Sequence, residues 1–185
     1  MKISSEQVKE NRRRVVDAAS RLFRRRGFDG VAVAELMTEA GFTHGGFYNH
    51  FRSKEALAAA ALEHAFAEMA RERERAKDIA HFVSNYLSAA SRDAPDMSCP
   101  AAALAGDTSR QPAETKAVFA TGVDSMIKFI EQRLSSETTL SQEALRNRAV
   151  QLAATIVGAL ALARAMPKDS PLAHEILALT RDACR

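Results

Sequence analysis

The chain is expected to fold as an all-α protein, and three observations carry that expectation. Apolar residues recur at three- and four-residue spacing along most of its length, as helices that bury one face require. Ala, Leu, Glu and Arg are abundant, Trp is absent and there are only five Pro, a composition that favours helix. Runs of Val, Ile, Thr and Tyr alternating with polar residues, the mark of half-buried strands, are missing. With 185 residues, 46% of them apolar and 26% charged, the chain buries one substantial core or two small ones, and disorder is excluded.

About nine helices are expected. The first spans 5–26, with Val8, Val15, Val16, Ala19, Leu22 and Phe23 at helical spacing and Gly27 as its stop. The stretch 33–51, VAELMTEAGFTHGGFYNHF, reads as two short helices about one tight turn. Leu36, Met37 and Ala40 share a face, Gly41 supplies the positive φ of a sharp stop, and Thr43 is the candidate cap of the second helix. Neither Ala32 nor Val33 provides a side-chain cap for the helix that starts there. A fourth helix, capped by Ser53, runs through Leu57, Leu62, Phe66 and Met69, and the charged run 71–78 is its solvated end. A fifth covers 79–90 and breaks at 93–96 around Pro95; a short one follows from Pro100 to about residue 109. The next repeats Phe119, Val123, Met126, Ile127, Ile130 and Leu134, with Val118 and Phe129 as a second face, before a loop at 135–141. The last two carry Leu145 to Leu160 and Leu172 to Ala183.

Charge is distributed unevenly. Residues 1–30 hold nine Lys or Arg against four acids, a net of +5, which leaves −2 for the rest of a chain whose total is +3. A basic segment beside the 33–51 stretch suits a polyanion, because each neutralised phosphate releases counterions. Lys2, Lys9, Arg12, Arg13 and Arg14 are the candidates for such contact; Arg24, Arg25 and Arg26 also suit the C-terminal end of the helix dipole. Gly45 and Gly46 are poor helix formers, at about 1 kcal/mol each relative to Ala. Close approach of the backbone to a bulky partner offsets that cost, and the polar Tyr48, Asn49 and His50 beside the inward-turning Phe47 and Phe51 point to DNA.

The run GFTHGGFYNHFRSKEAL at 41–57 resembles the signature of the tetracycline-repressor (TetR) family, and the motif resemblance extends over residues 10–66. It implies a dimeric, ligand-responsive transcriptional repressor, with a helix-turn-helix DNA-binding domain at 1–52 and a helical ligand-binding and dimerisation domain at 53–185. By the same resemblance Tyr48, His50 and Lys54 contact the DNA backbone, while Thr43, His44, Gly45, Gly46 and Asn49 face base edges or neighbouring phosphates. The family usually carries Ser or Thr where this chain has Ala32 and Val33, which removes one expected backbone contact.

An effector of unassigned identity is expected in the second domain, with Phe66, Met69, Phe82, Tyr86, Cys99, Leu104, Phe119, Met126 and Phe129 as candidate wall residues that equally suit plain packing. Cys99 precedes a helix N-terminus, where thiol reactivity rises, so electrophile or redox sensing is an alternative to simple ligand binding. The stretch AATIVGALALA is apolar nearly all round and needs cover beyond its own domain. Leu152, Ile156, Gly158 and Leu160, with Leu172, Ile176 and Leu179 from the last helix, are the expected half of a homodimer interface.

Other classes fare worse. No nucleophile motif, phosphate loop or paired-acid arrangement marks an enzyme, and no cofactor is implied. His44, His50, Glu63 and His64 lack a shared direction for a metal, and Cys99 and Cys184 form no metal or disulfide framework. The N-terminus has no apolar leader and the longest apolar run, 152–163, is too short for a bilayer, so no membrane partner and a cytoplasmic location are expected. A helical protein-interaction module that binds no DNA is the rival reading.

Overall fold

Apolar faces on successive helices close over one another in the computed structural model, which describes residues 4–184. Among these residues there are nine α-helices, two short 3₁₀ segments and no strand. The first helix, α1 (Ser5–Arg26), starts where the Ser4 hydroxyl accepts from the Gln7 N–H and stops at Gly27, whose φ of +74° a side chain would resist. Helix α2 (Val33–Glu39) begins at Ala32 without a side-chain cap and ends in the turn at Gly41, φ +79°, where Phe42 N–H reaches back to the Met37 carbonyl.

The second helix of the pair differs from expectation. Residues His44–Asn49 form a 3₁₀ segment, and Thr43 makes no side-chain cap bond. Its backbone closes three-residue turns, Gly46 N–H to Thr43 O and His50 N–H to Phe47 O. Two consecutive glycines deprive the segment of helix propensity, and the tighter 3₁₀ turn suffices to point Phe47 inward. Phe47, Phe51, Leu36, Met37, Val15, Ala19 and Phe23 close the small core beneath it.

Helix α3 (Lys54–Arg73) is capped by Ser53, whose hydroxyl accepts from Ala56 N–H. Its 20 residues pack against both α1 and α7 (Ala113–Glu137). The expected 79–90 helix is instead two, α4 (Ile79–Tyr86) and α5 (Ala89–Asp93), because Ser88 turns its hydroxyl to cap Ser91 N–H and starts a new helix. A 3₁₀ turn, Pro95–Met97, occupies the expected break and leads to α6 (Pro100–Thr108). Helix α7 continues to Glu137, into the expected 135–141 loop, and α8 (Gln142–Arg164) and α9 (Pro171–Ala183) complete the bundle. The charged run 71–78 is less solvated than its composition implies, since Ala76 is buried and Arg73 reaches across to Ser125. No helix among the described residues is long and apolar enough to cross a membrane.

Candidate nucleic-acid interface and regulatory cavity

One face of the 33–54 region carries its polar groups outward. Thr43, His44, Gly45, Tyr48 and Asn49 are exposed, Tyr48 at 73%, while Gly46, His50 and Lys54 are half-buried at its edges. The Tyr48 ring stands edge-on to the buried Phe47 ring, which fixes its base and leaves its hydroxyl outward. A Cβ on Gly45 would meet nothing within 4 Å, so no intramolecular packing explains that glycine; on Gly46 it would come to 3.6 Å from Met37. All eight residues singled out in the sequence thus lie in one short stretch of surface.

The flanking basic residues divide. Arg12 lies over the Phe51 ring, and Arg14 over the Phe42 ring while donating to the Ala40 carbonyl that ends α2. These two arginines hold the reading pair to α1, and Arg13 pairs with Glu10 on the exposed side. Arg24 is buried between the Ser98 carbonyl, Ser20 and Glu68; Arg25 holds Asp96 and Arg26 holds Glu35. The last three are therefore structural ties and Lys2 lies outside the described residues.

A cavity of about 510 Å³ opens between α1, α3, α4, α7 and α8. Of the expected wall residues, Phe66, Met69, Phe82, Tyr86, Cys99 and Met126 line it. Leu104, Phe119 and Phe129 do not: Leu104 is packed in the core, Phe119 stands edge-on to Phe66, and Phe129 is spent against Phe82 and the guanidiniums of Arg73 and Arg133. The wall also contains groups that hydrophobic periodicity did not single out, Arg21, Arg24, Glu68, Glu72, Arg73, Asn85 and Ser98 among them, and Leu160, expected at the dimer interface. A charge inside the run 71–78 that leaves water reveals itself only once a partner distant in sequence, such as Ser125 on α7, is placed.

At the floor of the cavity the Tyr86 hydroxyl is buried and meets no hydrogen-bond partner, and burial, together with the neighbouring Cys99 thiol, pushes it well above the usual tyrosine value. Arg164 binds the Ser91 carbonyl and the Ser98 hydroxyl but keeps its Nε and one Nη without partners, and burial lowers its pKa. Cys99, buried at 7% exposure, provides no side-chain cap to α6.

The expected interface residues separate into two sets. Leu152, Ile156 and Leu160 are buried within the subunit, because this side of α8 faces α6, α7 and α9. The face left open carries Ala154, Gly158 and Leu162 on α8, with Leu172 and Leu179 on α9, while Ile176 is partly buried against the core. A Cβ on Gly158 would have nothing within 4 Å, which leaves room there for a close neighbour.

Residues 15–61 match the family model for bacterial regulatory proteins of the tetR family. Over 57 residues, 31% of this chain, the sequence is 39% identical to the HTH-type transcriptional regulator YerO of Bacillus subtilis, and over 60 residues, 32% of this chain, 37% identical to the HTH-type transcriptional repressor DhaR of Mycobacterium sp.. The matched segments span 20% and 30% of those relatives' own lengths. The whole fold is similar to the crystal structure of Escherichia coli NemR in its reduced form, with a TM-score of 0.77, 20% identity and 95% of each chain covered. A structure from Cytophaga hutchinsonii superposes with a TM-score of 0.76 at 17% identity, over 98% of this chain and 96% of that one. Residues 15–61 thus carry the N-terminal domain of bacterial regulatory proteins of the tetR family, and the chain as a whole shares its helical fold with the similar structures.

Proposed function

We propose that the protein is a transcriptional repressor that grips a palindromic operator as a homodimer and lets go when a small molecule occupies its cavity. In this reading 1–52 is the DNA-reading domain and 53–185 the regulatory and dimerisation domain. The observation that carries it is the solvent-facing set Thr43, His44, Gly45, Tyr48 and Asn49, edged by Lys54 in the first turn of α3. A cation in that first turn opposes the helix dipole, and a docked phosphate removes the conflict. Tyr48, His50 and Lys54 hold the backbone; His44 and Asn49 meet base edges. The open face of α8 and α9 supports pairing of two copies, which sets the reading faces roughly 34–36 Å apart, one turn of the duplex. The cavity falls within the range of roughly 300–1,000 Å³ common to small-molecule sites, and α3 runs from it to the reading pair, so a ligand that shifts α3 changes the spacing of the two heads.

A mobility-shift titration on the gene's own upstream region tests this reading. Tyr48→Ala weakens binding about tenfold across sequences, Lys54→Ala also lowers the salt slope by about 1, and His44→Ala alters preference among sequences. Unchanged operator affinity in Tyr48→Ala overturns the assignment, and a chain that binds a helical partner but no DNA favours the interaction-module reading.

One observation favours a second mode of release. The Cys99 thiol lines the cavity beside the orphaned Tyr86 hydroxyl, where an oxidant or electrophile small enough to enter would reach it. The similar NemR structure is described as a reduced form. Release from DNA by peroxide or quinone that persists in Cys99→Ser excludes the thiol as the sensor.

A further inference from the structure

Outside the reading face, α1 and α3 bring together three side chains that the sequence keeps far apart. Asp17 projects from α1, and His64 and Glu68 stand one turn apart on α3. His64 Nε2 lies 3.6 Å from Asp17 Oδ1 and 3.5 Å from Glu68 Oε1, and all three atoms are within 4.8 Å of one another. Both separations are long for a hydrogen bond, and Nε2 is buried without a hydrogen-bond partner although it sits between two carboxylates.

We propose that these three residues bind a divalent transition-metal ion, with Zn²⁺ as its representative, and that the ion staples α1 to α3. Zn–N and Zn–O bonds of about 2.0–2.1 Å at tetrahedral angles set neighbouring ligand atoms about 3.3–3.4 Å apart. The two measured separations from Nε2 exceed that by only a few tenths of an ångström. One imidazole with two carboxylates suits Zn²⁺, and other first-row ions that accept imidazole, over Mg²⁺ or Ca²⁺, and water fills the fourth position. Both carboxylates are already oriented: Arg24 Nη2 donates to Glu68 Oε2 at 3.1 Å, and Arg21 Nη2, 3.2 Å from Asp17 Oδ2, also donates to Oδ1 at 3.3 Å, a bond the ion would have to displace. Such outer partners fix ligand direction, while their charge tempers affinity.

Because α1 holds the reading pair through Arg12 and Arg14 and α3 runs to the cavity, the bound ion favours one relative setting of the two helices. That consequence rests on the DNA-binding reading; the metal site does not.

The test is a competition titration of the full chain, in a Cys99→Ser, Cys184→Ser background, against a chromophoric Zn²⁺ chelator. One equivalent is expected, with affinity at least tenfold weaker in His64→Gln and in Asp17→Asn and with unchanged helical circular dichroism. Asp17→Asn leaves the Arg24–Glu68 pair in place, so it decides the matter even if a change at Glu68 disturbs folding. Absence of that equivalent, or wild-type affinity in both variants, overturns the site. The mobility shift is then repeated with and without Zn²⁺. A changed DNA affinity that Asp17→Asn abolishes supports the coupling, and unchanged affinity removes it; if no condition gives a shift, the repressor reading fails while the titration still stands.

Discussion

The reading face and the cavity follow opposite plans. The face is drawn from one short stretch, residues 43–54, whose polar side chains turn outward over a small apolar base of Phe47 and Phe51. The cavity draws Phe66 from α3, Phe82 and Tyr86 from α4, Cys99 from the residue before α6, Met126 from α7 and Leu160 from α8. Local order suffices for the first, whereas the second exists only when distant helices are packed. Changes around the cavity are therefore felt as lost stability, and changes on the face as lost affinity with the fold intact.

The largest test of that contrast is Arg24→Ala. Its side chain is 2% exposed and ties α1 to Glu68 on α3 and to the Ser98 carbonyl, so removal strands a half-buried carboxylate and a buried acceptor. Urea unfolding should show a loss of about 3 kcal/mol. A loss below about 1 kcal/mol means that the cavity wall does not depend on this tie.

Gly122→Ala comes next. A Cβ there would stand 2.3 Å from the Phe66 ring, which has Phe119 on its other side, so the ring must shift and α7 part from α3. A loss of about 1–3 kcal/mol in the same measurement is expected, and an unchanged midpoint would show that Phe66 has room to give.

Tyr86→Phe has a smaller effect and one that depends on pH. Removing an unpartnered hydroxyl changes neutral-pH stability by less than about 1 kcal/mol. In the wild type the folded hydroxyl titrates well above its unfolded value, so the protonated form contributes stability that is whole below the ordinary tyrosine pKa and is lost as pH rises beyond it toward the folded value. Urea midpoints followed upward from roughly pH 9 should fall more steeply in the wild type than in Tyr86→Phe. Parallel profiles would place the alkaline loss elsewhere.

The smallest expected effect is a gain. Ala32 has the extended backbone of an N-cap, φ −81° and ψ 151°, but no side chain to accept a bond. Ala32→Ser should stabilise the head by about 0.5–1 kcal/mol in thermal unfolding and, if the new hydroxyl also reaches a phosphate, tighten DNA binding. No gain in either measurement would mean that the α2 N–H groups are already satisfied by solvent.

The reading face was legible because its determinants are local. A glycine at φ +79° ends α2, aromatic residues at 47 and 51 turn in, and Tyr48 and Asn49 between them face outward while His50 sits half-buried at the edge. The 3₁₀ geometry of His44–Asn49 was not legible, since a six-residue segment with two glycines is decided by what Phe47 packs on. Half-buried cations tell the same story from the other side. Arg73 looks like a solvated residue in the charged run 71–78 until α7 presents Ser125 and Phe129 to it.

The amino-acid sequence by itself determined most of the helices, the cap at Ser53 and the composition of the reading face, because each depends on residues within a few positions of one another. It also determined that the second half of α8, residues 153–163, is apolar on nearly every side. Only the tertiary structure decided which side of α8 faces the core and which stays open, that Phe119 and Phe129 are spent on other rings, and that Asp17 meets His64 and Glu68. Helical periodicity fixes the direction of a side chain relative to its own axis; the angle at which two axes cross fixes what it touches.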